Sequence, residues 1–534
     1  MIDPFRRWGQ IPIAFSNSTK DMKKKLIIGI CSMFMLIAGR SQEENVPTPQ
    51  WRPLWHFTPE KNWTNDPNGL IYLNGVYHLY NQQNPFENKW GHMSWGHATS
   101  TDLIHWKHLP IAMPETIDKD TTWRFSGCAV WDKNNTSGFC SNGPCIVAIY
   151  TADQPNLKKE SQYVAYSNDG GLTLTNYAGN PVIDLQRRDF RDPNVTWNDQ
   201  LGKWVMVVAM PRDHAVRFYA SPNLKNWELL SEFGGAGYDR AHWECPSLIQ
   251  LPVEGSSGKK KWVLLVSAGG PERGPYMQYF VGEFDGKVFK NDNPPDKILS
   301  LDEGDCFYAA IPWNNTPGDN KILIGWMVPG PQHTYPWRGQ MSIARDLSLR
   351  ETSEGLRLVQ KPAKIITDNL PALSGNNISR KKDLKASNTE VLIQPMPGNS
   401  YWLDALVTWK AGTNFGFKIA QKKGNGQAAG YETLVGYDSQ AGRLYVDRTH
   451  SGTAKMDKNK LMQSADLKLP AGSVRVQILF DKSSLEVFFK DGEKVLTCYV
   501  FPDADANLLS FFASRGEASL SSLTIYDLSA ADSR

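Results

Sequence analysis

From about residue 55 to 350, short apolar runs rich in Val, Ile, Tyr, Phe and Trp alternate with Gly, Asn, Asp and Pro. The breaks come roughly every 8–12 residues, a spacing that fits short strands and turns. Residues 69–73 lead through Asn74-Gly75 into 76–80, and residues 204–209 are followed by a second apolar run at 216–220. Alternating runs joined by Asn-Gly or Asp-Gly read as antiparallel hairpins. No long stretch carries helical periodicity, so the pattern predicts an all-β protein.

A weak internal repeat sharpens this expectation. Ser100, Asp102, Leu103 and Trp106 share the pattern S-x-[DN]-L-x-x-W with Ser221, Asn223, Leu224 and Trp227. A degenerate copy begins at Ser167 and places Leu172 between them, 69 residues after Leu103 and 52 before Leu224. Units of that length, each holding about four short strands, are the size of propeller blades, and about five fit the stretch. A β-sandwich is the competing architecture, but the stretch is long for a single one.

Beyond about residue 360 the composition changes. Residues 370–390 hold Ser374, Gly375, Asn376, Asn377 and a Lys-rich stretch, and read as a linker or exposed loop. Alternation resumes from Val391, with runs at 473–480 and 484–489 and a turn at 490–493 leading into 494–500. This predicts a five-bladed β-propeller over 51–360 followed by a C-terminal β-sandwich over 380–534.

Charge changes the picture only after division. The 534 residues carry a formal +3, yet residues 1–41 alone hold four Lys and three Arg against two Asp. The remainder has 51 basic and 53 acidic side chains. A nearly neutral body has no electrostatic footprint for nucleic acid and suits a neutral polymer better. Lys23, Lys24 and Lys25 followed by the apolar run 26–38 read as a bacterial-type export signal at about 22–41, too short to span a bilayer. Residues 1–21 precede it as an upstream extension. Arg40 stands where an acylated Cys would follow the lipoprotein-like 36–39, so lipidation there is not expected. No other segment is long and apolar enough for a membrane span, and the chain is expected to be periplasmic, cell-surface or secreted. Export permits disulfides, and Cys140 and Cys145 flank a short loop that a bond would close; the other thiols read as scattered buried groups. Paired CxxC and HExxH are both missing, so no metal is expected. Sixteen of the nineteen Trp lie between Trp51 and Trp337. They fit the core of a large β structure, or the apolar faces of sugar rings.

Three acidic residues stand out by local context. Asp66 lies in Asn65-Asp66-Pro67-Asn68-Gly69, a tight turn just before an apolar strand. There its carboxylate either caps its own backbone or points into a central channel. Asp192 repeats the Asp-Pro-Asn pattern 126 residues later, beside Arg191, whose charge would keep it ionised; a surface turn is the alternative. Glu244, between Trp243 and Cys245, has apolar neighbours in sequence, a setting that suits a proton donor, although a strand end facing water fits equally.

These motifs, in order, resemble glycoside hydrolase family 32, the invertases, inulinases and levanases. W-x-N-D-P-N-G stands at 63–69, Q-x-N-P at 82–85, W-G-H at 95–97, F-S-G at 125–127, R-D-P at 191–193 and E-C-P at 244–246. Phe307 to Ala310 is similar to the family's F-Y-A element, and 484–488 with Phe501-Pro502 to its C-terminal signature. The resemblance covers about residues 51–530. It implies a site at the mouth of a five-bladed propeller, with Asp66 as nucleophile, Glu244 as general acid/base and Asp192 as transition-state stabiliser. Asn65, Gln82, Trp90, Trp95, Phe125, Ser126, Arg191 and Tyr308 would shape the pocket for a terminal fructose. The chain departs from the family pattern at Thr64, Gln83 and Cys306, which bears on substrate preference more than on chemistry.

The implied reaction is retaining hydrolysis of β-D-fructofuranosyl linkages in levan or inulin, with sucrose as a smaller substrate and no cofactor. Retention expects the two reacting carboxyls about 5–5.5 Å apart. A fructosyltransferase on the same scaffold and a non-catalytic fructan-binding protein are the alternatives.

Overall fold

Five small antiparallel sheets follow one another along the chain in the computed structural model, which describes residues 46–529 except 118–120, 142, 271–273, 319, 397 and 425–429. The export signal expected at about 22–41 lies outside the described residues. Blade I runs Asn62–Leu73, Val76–Asn84, Ser94–Ser100 and Lys107–Met113 from the centre outward. Blade II runs Trp123–Asp132, Cys145–Gln154, Lys159–Ser167 and then Thr175–Asn176 and Ile183–Arg187, both paired to the third strand. Blade III is Arg191–Asn198, Lys203–Met210, Ala215–Ser221 and Glu228–Gly234; blade IV is His242–Pro252, Lys260–Gly269, Met277–Phe284 and Phe289–Asn291. Blade V is Phe307–Pro312, Lys321–Met327, Arg345–Thr352 and Gly355–Pro362. The first strand of each blade touches the first strand of the next, and that of blade V touches that of blade I, so the ring closes.

Stacked blades explain why the middle strands are apolar on both faces. In Cys145–Gln154, Val147 and Ile149 pack with Met206 and Val208 of blade III, while Ala148 and Tyr150 pack with Tyr80 and Trp95 of blade I. A short segment stitches the ring shut. Trp337–Arg338 pairs in parallel with Asn62 and Trp63 of blade I, and Gln340–Met341 pairs with blade V. The S-x-[DN] repeat is the turn leaving the third strand. Ser100, Ser167 and Ser221 end those strands in blades I, II and III, and their hydroxyls accept downstream backbone N–H groups. Asp285 makes the same kind of turn in blade IV.

Cys140 and Cys145 are joined, and Cys128, Cys245, Cys306 and Cys498 are buried free thiols. Among the described residues no helix is long and apolar enough to cross a membrane.

The stretch 370–390 is not the loop expected. Lys364–Leu373 is a helix, and Ile378–Lys381 and Leu384–Pro395 are strands paired to Leu508–Asp527. These strands sit at one edge of the C-terminal sheets with outward polar residues, so their burial pattern is weak and composition mimicked a linker. Leu508–Asp527 runs through both sheets, pairing with Asn414–Lys422 by one half and Ser400–Trp409 by the other. Both sheets face one core that includes Leu403, Val407, Phe415 and Phe417.

The sandwich is welded to the propeller by a buried polar cluster. Arg345, fully buried on blade V, donates to Asp302 (2.9 Å) and to Glu486 (2.6 Å) of the sandwich. His56, ahead of blade I, bridges Asp481 at 2.8 Å and Glu486 at 3.1 Å. Burial alone would lower the His56 pKa, but the hydrogen bonds and charges of Asp481 and Glu486 outweigh it and raise it to about 9.

Candidate active site

Each innermost strand breaks register near its start, at the same level of the ring. The irregularities fall between Thr64 and Pro67, Arg124 and Gly127, Arg191 and Asn194, Glu244 and Ser247, and Tyr308 and Ile311. A β-bulge re-aims the side chains at its extra residue. Here the five bulges carry Asn65 and Asp66, Phe125 and Ser126, Asp192, Cys245, and Ala309. Asp192, Cys245 and Ala309 occupy equivalent positions with φ of 64°, 46° and 52°. These L-residues hold a conformation that costs of the order of 1–3 kcal/mol each and persists only where surroundings enforce it.

The bulges bring the three acidic residues together. Asp66 accepts from Ser126 Oγ at 2.5 Å, from Asn65 Nδ2 at 3.2 Å, and from the Cys245 thiol at 3.6 Å. The same thiol lies 3.5 Å from Asp192 Oδ2, which also accepts the Cys245 backbone N–H at 3.0 Å. Glu244 is held at both oxygens, by Arg191 Nη1 at 2.8 Å and by the Tyr308 hydroxyl at 2.7 Å. Gln82 links the first pair, accepting from Asn65 at 3.0 Å and donating to Ser126 Oγ at 2.6 Å. Thr64, one of the departures from the family pattern, is buried and ties its strand to Gln82 O and Asn81.

Electrostatics make the two aspartates reluctant to carry their charges. Burial raises the Asp66 pKa; the Ser126 hydrogen bond opposes it and the charge of Glu244 adds to it. Asp192 is pushed well above the usual carboxylate range by burial, then by the charges of Glu244 and Asp66. Arg191 pulls the other way and loses. The expectation that Arg191 keeps Asp192 ionised is therefore corrected. The guanidinium turns instead to Glu160, Glu244 and Asp189. Against the cost of burial its own pKa is driven up by Glu160 and Glu244, with the charge of Asp192 adding to them. A buried group of like charges retains a proton that isolated carboxylates would release.

The apolar setting expected for Glu244 is also corrected. Trp243 and Cys245 are buried, but strand alternation turns the Trp243 ring into the core between blades III and IV. Glu244 faces the opposite way, with its side chain 26% exposed and two polar partners.

The remaining expected residues divide by depth. Trp90, 47% exposed, packs edge-on against Trp123 and Phe125 at the rim. Trp95 is fully buried; its ring lies beneath Gly69 and its Nε1 donates to Phe125 O at 3.0 Å. Sequence reasoning missed Trp123, Thr151, Glu160 and Cys245 as contributors. Thr151 accepts the Asp192 backbone N–H at 2.9 Å, and no motif marked it. Cys245 stood inside a quoted motif, which was the available signal. Among the described residues no group of three or more His, Cys, Asp or Glu side chains is arranged to hold a metal ion.

The comparisons with known proteins agree with this geometry. The family described as "Glycosyl hydrolases family 32 N-terminal domain" matches residues 56–362, and its "C terminal" counterpart matches 369–527. The chain belongs to glycoside hydrolase family 32, and it is a glycoside hydrolase. A levanase of Bacillus subtilis is 41% identical over 526 residues, covering 95% of this chain and 75% of that one. An extracellular exo-inulinase of Aspergillus awamori is 37% identical over 89% of this chain and 94% of its own length. The crystal structure of exo-inulinase from that organism superimposes with a TM-score of 0.80, covering 90% of this chain and 98% of that chain. A fructofuranosidase of Schwanniomyces occidentalis complexed with fructosylnystose is 31% identical, with a TM-score of 0.79, covering 90% of this chain and 99% of that chain.

Proposed function

We propose that this chain is an exported β-fructosidase that releases fructose from the ends of fructans such as levan or inulin, and from sucrose, with retention. The observation that carries the reading is the meeting of Asp66, Asp192 and Glu244, from three blades, around the Cys245 thiol and the Arg191 and Tyr308 donors. Residues 51–360 are read as the catalytic propeller and 380–534 as the supporting sandwich. Export fits the basic, then apolar segment at about 22–41 and the printed description of the exo-inulinase relative as extracellular.

Two steps follow from the chemistry of a fructoside. In the first, an Asp66 oxygen attacks the anomeric carbon C2 as the bond from C2 to the leaving oxygen breaks and Glu244 gives that oxygen its proton. In the second, water attacks C2, its proton passes to Glu244, and the bond to Asp66 breaks. Positive charge builds up on the sugar ring in the transition state of each step. It favours the ionised form of Asp192, whose carboxylate, held by the Cys245 backbone N–H, stabilises it in turn. Asn65, Gln82 and Ser126 orient Asp66. Trp90 and Phe125 offer apolar surface to the ring of a sugar.

Chromatography of early products from levan, inulin and sucrose tests this. Free fructose as the first product from all three is expected. A ladder of oligosaccharides from the polymers would replace end-on release with internal cutting, and fructosylated acceptors accumulating at high sucrose would replace hydrolysis with transfer.

A further inference from the structure

Glu160 belongs to none of the roles assigned above, yet it accepts three hydrogen bonds beside the site. It lies on the third strand of blade II, 1% exposed, so it cannot touch a sugar. Its Oε2 accepts from Arg191 Nε at 2.9 Å and from the Phe190 backbone N–H at 3.1 Å, and its Oε1 accepts from Arg191 Nη2 at 2.9 Å.

A two-pronged carboxylate grip fixes the plane of a guanidinium as well as its position. With Nε and Nη2 held, Nη1 is the nitrogen left to reach Glu244, at 2.8 Å. The bond to Phe190 also anchors the backbone one residue before Arg191. Asp189 shares Nη2 at 2.8 Å, but it is more exposed and also serves Arg212, so it is the weaker holder. The result is a line of hydrogen bonds through four blades, from Glu160 to Arg191 to Glu244 to Tyr308. The Gly269 N–H fixes the Tyr308 hydroxyl at the far end, at 3.0 Å.

We propose that Glu160 is a positioning residue for the proton donor: it aims Arg191, and Arg191 with Tyr308 sets the direction in which Glu244 faces the leaving oxygen. This rests on the reading of Glu244 as acid/base. Glu160 acts on one half-reaction in a specific way, since misdirecting the proton donor harms substrates in proportion to how much their leaving group needs a proton.

The test compares kcat/KM for sucrose, whose glucosyl oxygen must be protonated, with that for β-fructofuranosyl fluoride, which departs as fluoride without a proton. Glu244→Gln is the control for the underlying reading and should lose sucrose activity far more than fluoride activity. Glu160→Gln should lose about 10–100-fold on sucrose, the scale of an ångström-sized misplacement, and at most a few-fold on the fluoride. Glu160→Asp, which restores a carboxylate on a shorter stem, should recover part of the sucrose loss. If Glu160→Gln loses equally on both substrates, or nothing on sucrose, while Glu244→Gln shows the split, the inference is overturned and the acid/base reading stands. If Glu244→Gln shows no split, the reading itself fails. Should Glu160→Gln not fold, Glu160→Asp carries the comparison: loss confined to sucrose supports the inference, and equal loss on both overturns it.

Discussion

Gly69 shows how closely single residues are constrained behind the clustered carboxylates. It lies in a second register break of the strand that carries Asp66, at φ +53°, and a Cβ there would come within 2.6 Å of the Tyr80 ring and 2.9 Å of the Trp95 ring. Both rings are fully buried and have no room to retreat. Gly69→Ala is expected to cost about 1–3 kcal/mol from overpacking, with the left-handed backbone adding to it. Urea unfolding should show the earlier midpoint, and kcat should drop because Asp66 and Pro67 lie in the adjacent bulge of the same strand. Asp66, Asp192 and Glu244 were legible through the order of their short motifs, which resembles that of the family; taken singly, each local context left a turn or a strand end open as well. Arg191 was legible in identity but not in partnership, because the strand turns its guanidinium away from its neighbour Asp192 toward residues 31 and 53 positions away. Glu160 and Thr151 were not legible. Nothing near them in sequence distinguishes a buried acceptor from an ordinary strand residue.

Among elements, the repeated turn after the third strand was read correctly as a repeat, because Ser and Asp or Asn side chains cap backbone groups in a fixed local pattern. What the repeat could not disclose was the bulge at the start of every innermost strand. A bulge is a relation between two strands, and its extra residue looks like any other in sequence. The positions that adopt positive φ there, Asp192, Cys245 and Ala309, share no residue type. The edge strands at 378–381 and 384–395 were hidden for a related reason. Their stability comes from pairing with Leu508–Asp527, more than a hundred residues away, and their own alternation is faint.

For the whole molecule, the sandwich is better described as a wall of the propeller than as an appendage. His56 and Arg345 from the propeller side meet Asp481, Glu486 and Thr497 of the sandwich in a buried cluster. His56→Gln leaves Asp481 and Glu486 without that cation, and breaking a buried pair from one side costs about 3–5 kcal/mol. Because the folded pKa of His56 is raised to about 9, its contribution is fully present below the ordinary histidine value of 6.5 and is lost as pH rises through about 9. Denaturant titrations should therefore show a large penalty for His56→Gln at pH 6 and a small one at pH 10. That cluster, the ring closure at Trp337–Met341 and the five bulges together bring distant carboxylates to one place, which the proposed function assigns to a single fructosyl unit. The most direct test of that claim is mass spectrometry of proteolysed Glu244→Gln enzyme quenched during turnover of β-fructofuranosyl fluoride, in which loss of the general base slows release of the intermediate. The account predicts one fructosyl unit bound covalently to Asp66; a label on another residue, or none under conditions where the fluoride is consumed, would contradict it.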